Sequence, residues 1–197
     1  ACASPLSARS TAPHSPALDS GLASTCLLLQ HSAMTPPSAH LPRRSSAEQQ
    51  RLEATLRDMF EHRISFNEVL GLKVASFDPQ AAQLRFAMRP ELVGHYLYGR
   101  LHGGVIAAAL DTVGGFAAVV GIAEKYANET AEQVAHRFGR IGTIDLRTDF
   151  LHQGIGREFT ATGTITRLGG RIASVQMRLE NESQLLIATA AAAYVVS

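Results

Sequence analysis

The chain has 197 residues, of which 46% are hydrophobic and 18% charged, with a formal net charge of +1. That balance describes one globular domain with some chain to spare, and it excludes a polyelectrolyte. It also excludes nucleic acid as the main partner, because phosphate binding needs a strong basic surplus.

The totals conceal a split. Cys2 and Cys26, the only cysteines, and six of the eight prolines lie in the first 45 residues, and no Phe, Tyr or Trp precedes Phe60. Before Glu48 the only acidic residue is Asp19, against Arg9, Arg43 and Arg44. Residues 1–45 are therefore expected to form a disordered low-complexity leader. Its apolar patch, Leu22 to Leu29, is too short for a bilayer and lacks a basic flank, so neither a secretory signal nor a membrane span is expected. The leader resembles an organelle transit peptide in composition; a fragment, or a start placed upstream of Met34, accounts for it as well. Residues 46–197 keep 15 basic and 16 acidic groups (18 less 3, 17 less 1) and no cysteine. Disulfides and thiolate chemistry are thereby excluded from the domain, which reads as reduced and cytoplasmic.

The domain opens with capping pairs Ser45/Glu48 and Ser46/Gln49, followed by Leu52, Leu56, Met59 and Phe60 at helical spacing, predicting a helix to about Arg63. Alternating runs at Leu72–Phe77 and Gln83–Met88 flank Asp78-Pro79-Gln80 and predict a hairpin. From Gly103 to Val120 the chain is small and apolar, with Asp111 and Thr112 the only strongly polar side chains, which predicts a buried helix. A short surface helix follows at Glu129–Phe138, then strands at Thr143–Leu151, Phe159–Leu168, Ile172–Glu180 and Gln184–Val196. The plan is α+β, an antiparallel sheet wrapped around one long helix.

Serine-hydrolase elbows, Walker-type loops and metal-binding His-Glu-x-x-His helices are absent, and His62, His95, His102, His136 and His152 lack ligand spacing, so no metal site is expected. The distinctive segment is Leu101-His102-Gly103-Gly104-Val105, with Asp111 seven positions beyond Gly104. Glycines at a helix start expose N–H groups without intrahelical partners, where the helix dipole favours developing negative charge. The same pair would also serve a plain sharp turn. A carboxylate on an apolar helix needs a compensating partner, whether a neighbouring strand or hydroxyl or a catalytic role. His102 and Asp111 are about 900° apart around a helix and roughly 13 Å apart along it, so a shared site requires two subunits.

The combination resembles the PaaI-like group of hotdog-fold acyl-CoA thioesterases, its medium- and long-chain members most of all. The resemblance runs over about residues 50–197, through Phe66-Asn67, Leu70-Gly71-Leu72, Leu101-His102-Gly103-Gly104-Val105-Ile106 with Leu110-Asp111, Gly142-Thr143-Ile144-Asp145-Leu146-Arg147, Phe159-Thr160-Ala161-Thr162 and Gln184-Leu185 to Tyr194. It implies hydrolysis of medium- or long-chain fatty acyl-CoA without a metal or redox cofactor, coenzyme A entering only as part of the substrate. The Gly103 N–H would polarise the thioester carbonyl and Asp111, from the facing subunit, would act as nucleophile or general base. His102 would steady the loop and thioester, and Thr143 would position water. His95 stands where some relatives carry Asn; it either supplies the same contact or marks a differently oriented site. Gly104, His95, Tyr96 and Tyr98 are expected near the substrate, the tyrosines and Phe116 as candidates for an acyl tunnel or for core. Arg147, Arg167 and Arg171 are candidates for the phosphates of CoA or for solvated strand edges. The resemblance further implies a homo-oligomer, a dimer of dimers. Two other readings stay open at this point, a hotdog hydratase-dehydratase and a non-catalytic acyl-CoA-binding module.

Overall fold

The computed structural model describes residues 42–197, so most of the expected leader lies outside the described residues. Helix α1 (Ser46–Asp58) is capped by the Ser45 hydroxyl, which accepts from the Glu48 N–H at 3.2 Å. Of the two registers that the sequence offers, the first is used. The Glu48 carboxylate does not fold back, because it accepts instead from the Ala131 N–H at 2.8 Å. After α1 a π-helical turn, Met59–Arg63, widens the backbone before the short helix α2 (Ser65–Leu70).

Strands β1 (Lys73–Ser76) and β2 (Ala82–Ala87) form the expected hairpin, with Leu84 and Phe86 turned inward and Arg85 outward. A small second sheet pairs β3 (Val93–His95) with β4 (Arg100–Leu101). Helix α3 (Gly103–Lys125) runs further than the apolar stretch suggested, since Ile122 and Ala123 are buried as well. Helix α4 (Ala131–Phe138) starts from a Thr130–Gln133 capping box, which leaves Glu129 outside the helix and ion-paired with Arg137. Strands β5 (Gly142–Phe150), β6 (Glu158–Leu168), β7 (Ile172–Asn181) and β8 (Leu186–Val195) complete the chain. The last begins two residues later than expected, because Gln184 adopts a positive φ of 60° within the turn.

The main sheet is antiparallel in the order β1-β2-β6-β7-β8-β5 and curls around α3. This is the hotdog arrangement. Contact between helix and sheet is close because the facing residues are small: a Cβ on Gly163 would stand 2.8 Å from both the Val113 carbonyl oxygen and Ala117 Cβ. On another flank, Phe116 meets the rings of Phe60 and Phe77 edge-on at 4.9 and 5.5 Å, and Phe60 meets Phe138 of α4. Arg43 and Arg44, assigned to the leader by composition, dock on the far end of α3. Arg43 pairs with Glu124 at 2.6 Å, and the Arg44 guanidinium donates to the carbonyls of Ala123 and Tyr126. A cation on the last carbonyls of a helix satisfies orphan acceptors and complements its dipole.

The π-turn has a consequence for stability. It directs Glu61 inward, where its carboxylate accepts from the Val74 N–H at 2.9 Å and meets Arg57 and Lys73 at 3.3 and 3.2 Å. Burial pushes this carboxyl up, but the Val74 hydrogen bond and the two cations outweigh it and hold the group below the ordinary glutamate value of 4.5. A depressed carboxylate contributes stability above its unfolded value and loses it as pH falls through the folded one. Wild type should therefore lose more stability than Glu61→Gln between neutral buffer and buffer well below pH 4.5, read as urea midpoints of both proteins.

Candidate active site

The start of α3 is held by the backbone segments around it. The His102 N–H donates to the Leu92 carbonyl and the Leu101 N–H to the Gly154 carbonyl, both at 2.9 Å. Gly94 of β3 lies directly on the His102 backbone, where any Cβ would collide. These contacts place His102 at the N-cap, with φ −65° and ψ 138°. Its imidazole folds back so that Nδ1 accepts from the Gly104 N–H at 2.9 Å, which leaves the ring proton on Nε2. The His102 carbonyl accepts from Val105 and Ile106.

Of the two N–H groups expected to be free, only one is. Gly104 spends its donor on the His102 ring, whereas the Gly103 N–H has no acceptor among the described residues. It lies at the positive end of a 23-residue helix, beside the Phe150 ring. A donor so fixed suits an oxygen that gains negative charge.

Helix α3 is not apolar and buried all round. Gly104, Ala107, Ala108, Asp111, Thr112 and Gly115, spaced three and four apart, form a stripe that the sheet leaves open. Asp111 is thus half-exposed, a correction to the fully sunken carboxylate that composition implied. Thr143 donates to Asp111 Oδ1 at 2.9 Å. The Tyr194 hydroxyl lies 2.9 Å from the Asp111 main-chain oxygen and 3.3 Å from the same Oδ1. Oδ2 has no partner among the described residues. Burial, and then the Asp111 charge, push the Tyr194 phenol far up, so it remains a neutral donor. The strand hydroxyl that sequence reasoning allowed for is therefore present. Tyr194 was missed; 83 residues from Asp111, it looks in the sequence like an ordinary strand aromatic.

Other expected residues fall elsewhere. His95, Tyr96 and Tyr98 belong to the β3–β4 hairpin, whose tip is open: Tyr96 and Tyr98 are 87% and 62% exposed, with the His95 ring stacked on Tyr96 and tilted against Tyr98. Among the described residues nothing covers the two tyrosine rings, and Phe116 is core. Arg147 sits on the outer face of the sheet, paired with Asp149 at 3.0 Å. The cause is a bulge at Ile144. Thr143 opposes Tyr194 while Asp145 opposes Ala193, so the inward set becomes Thr143, Leu146, Thr148 and Phe150. Arg167 and Arg171 flank the β6–β7 turn at the C-terminal end of α3, where Lys125 donates to the Gly169 carbonyl. That end is roughly 30 Å from Gly103 along the helix. Among the described residues no cluster of three or more His, Cys, Asp or Glu could hold a metal ion.

A curled antiparallel sheet around one long helix is the hotdog fold. A helix N-terminus whose first N–H is unclaimed among the described residues, with a carboxylate two turns on, offers groups that thioester hydrolysis can use. The chain belongs to the thioesterase superfamily, whose sequence profile matches residues 98–188. It is 40% identical over 139 residues to the medium/long-chain acyl-CoA thioesterase YigI of Escherichia coli K12, covering 71% of this chain and 90% of that protein. The crystal structure of a Shewanella oneidensis protein related to the thioesterase superfamily superimposes with TM-score 0.72 at 34% identity, covering 78% of this chain and all of that one. Thioesterase HI1161 of Haemophilus influenzae shares the fold at TM-score 0.56 and 18% identity, over 79% of this chain and 93% of that one.

The His102 cap is testable by itself. Replacing it with Ala removes the acceptor for the Gly104 N–H and should cost about 1 kcal/mol, whereas Asn, a good N-cap, should restore most of that. Thermal melts of the two variants check this; equal melting points would contradict the cap.

Proposed function

We propose that the protein hydrolyses medium- or long-chain acyl-CoA to free fatty acid and CoA in a site built between two protomers. The observation that carries this reading is the pairing of a free Gly103 N–H with a carboxylate whose Oδ1 is held and whose Oδ2 is not. Along α3 the two lie about 12 Å apart, too far to act on one carbonyl within a chain. A facing copy supplies the missing half. Strand β5 supports this: it ends the sheet, leaves one edge unpaired among the described residues, and carries exposed Ile144 at its bulge. Phe150, although on the helix-facing side, and Leu151 just beyond the strand stay open to solvent. Such an edge is a template for pairing with a second copy. A dimer of such dimers is the assembly we assign.

In this site the thioester carbonyl oxygen accepts from the Gly103 N–H, and His102 keeps that turn in place. Asp111 of the other protomer takes a proton from water as its oxygen attacks the carbonyl carbon, with Thr143 steadying the carboxylate and the water. The carbonyl electron pair moves onto oxygen, stabilised by the helix end. It returns to expel the CoA thiolate, which takes up the proton that Asp111 removed from water, so that the carboxylate is regenerated. Attack by the carboxylate itself is the covalent variant, giving an anhydride that water opens. The exposed rings of Tyr96 and Tyr98, with His95, then cover acyl chain bound at the facing copy. Arg147, Arg167 and Arg171 can meet the phosphates of CoA only across a subunit boundary. The reaction needs no cofactor beyond water and substrate. We place it in the cytoplasm, in keeping with a domain free of cysteine.

Release of thiol from a series of acyl-CoAs, short to long, tests the reading. Turnover should rise toward the medium and long chains, and Asp111→Asn should lower it by about a hundredfold or more with the melting point kept. Undiminished turnover in that variant would overturn the assignment.

A further inference from the structure

We infer that Tyr194 is a positioning residue for Asp111, one half of a cross-strand hydroxyl pair that aims the carboxylate. The inference rests on the reading of Asp111 as the reacting group. Tyr194 is 1% exposed on a strand whose other inward positions are Ala188, Ala190 and Ala192, all buried. A ring this large fits only because Gly114 of α3 has no side chain: a Cβ there would overlap the Tyr194 hydroxyl. Helix and strand are therefore shaped around the phenol oxygen and not merely around a ring.

A buried hydroxyl requires a partner. The partners given to Tyr194 are both on Asp111, the main-chain oxygen at 2.9 Å and Oδ1 at 3.3 Å. Its cross-strand neighbour in the β5–β8 ladder is Thr143, whose hydroxyl donates to the same Oδ1 at 2.9 Å. The bulge at Ile144 follows directly, so this is the last inward pair before β5 changes phase. Thr143 donates fully to Oδ1, the single phenol proton of Tyr194 is shared between the nearer main-chain oxygen and Oδ1, and Oδ2 has no partner among the described residues. Because burial and the Asp111 charge keep the phenol protonated, it cannot become a competing base. Tyr194 touches no substrate in this arrangement; it acts through Asp111.

Kinetics on the full chain test this with four proteins: wild type, Tyr194→Phe, Asp111→Asn and the double variant. Phe keeps the ring and loses the hydroxyl. We expect kcat to fall about fivefold in Tyr194→Phe with KM unchanged, as for the loss of a hydrogen bond shared between a carbonyl and a carboxylate. Adding Tyr194→Phe to Asp111→Asn should cost nothing further, because the two act as a unit. Urea midpoints set the folded fraction of each protein, so the comparison holds even if Phe is less stable. An unchanged kcat in Tyr194→Phe, a change in KM alone, or losses that multiply in the double variant would overturn the role of Tyr194 while leaving Asp111 in place. Full activity in Asp111→Asn would instead remove the functional reading beneath it.

Discussion

An α-helix sets the distance between any two of its residues, and α3 sets the one that matters here. Its first residue offers a backbone donor with no acceptor among the described residues, and its ninth offers a carboxylate about 12 Å further along. No side-chain rotation brings these groups together. The helix is clamped over most of its length, by β2, β6, β7 and β8 on one side and by Phe60 and Phe77 on another. On the reading proposed above, each protomer carries two half-sites that a second copy completes.

That division explains the composition of α3. Glycine and alanine bring the sheet close enough for strand hydroxyls to reach Asp111, and the same small residues leave a low, open stripe on the side away from the core. Glycine within a helix costs roughly 1 kcal/mol relative to alanine. Close packing of Gly114 against Tyr194 and of Gly121 against Ile165 offsets that cost at positions where a larger residue could not lie. Even the ends follow the same economy of contacts: His102 closes the first turn, and Arg43 and Arg44 close the last.

The layered plan and the order of elements were legible because hydrophobic period and turn residues mark them directly. The nearness of Thr143 to Asp111 came only from the family resemblance, whereas Gly103 and Asp111 stood out because an apolar helix makes a glycine start and a lone carboxylate conspicuous. Other features depend on distances that a sequence does not display. Tyr194 meets Asp111 only through strand order and the absence of a Cβ at Gly114. Strict alternation along β5 would put Arg147 on the face of Thr143, and one bulged residue reverses it. The second glycine of the turn looked as free as the first, but the His102 ring folds back onto it. Asp111 looked buried because composition cannot show that a helix lies against a sheet on only part of its circumference.

Complementation between two defective copies tests the shared site most directly. Gly103 is the first helical residue, a position that tolerates proline, so Gly103→Pro removes the one free N–H with little strain. Gly103→Pro and Asp111→Asn should each be inactive alone. Unfolded and reassembled together in equal amounts, they should recover activity toward about a quarter of the wild-type level, since half the dimers are mixed and each mixed dimer holds one intact pair. Mixed assemblies without thiol release would contradict a site made from two chains.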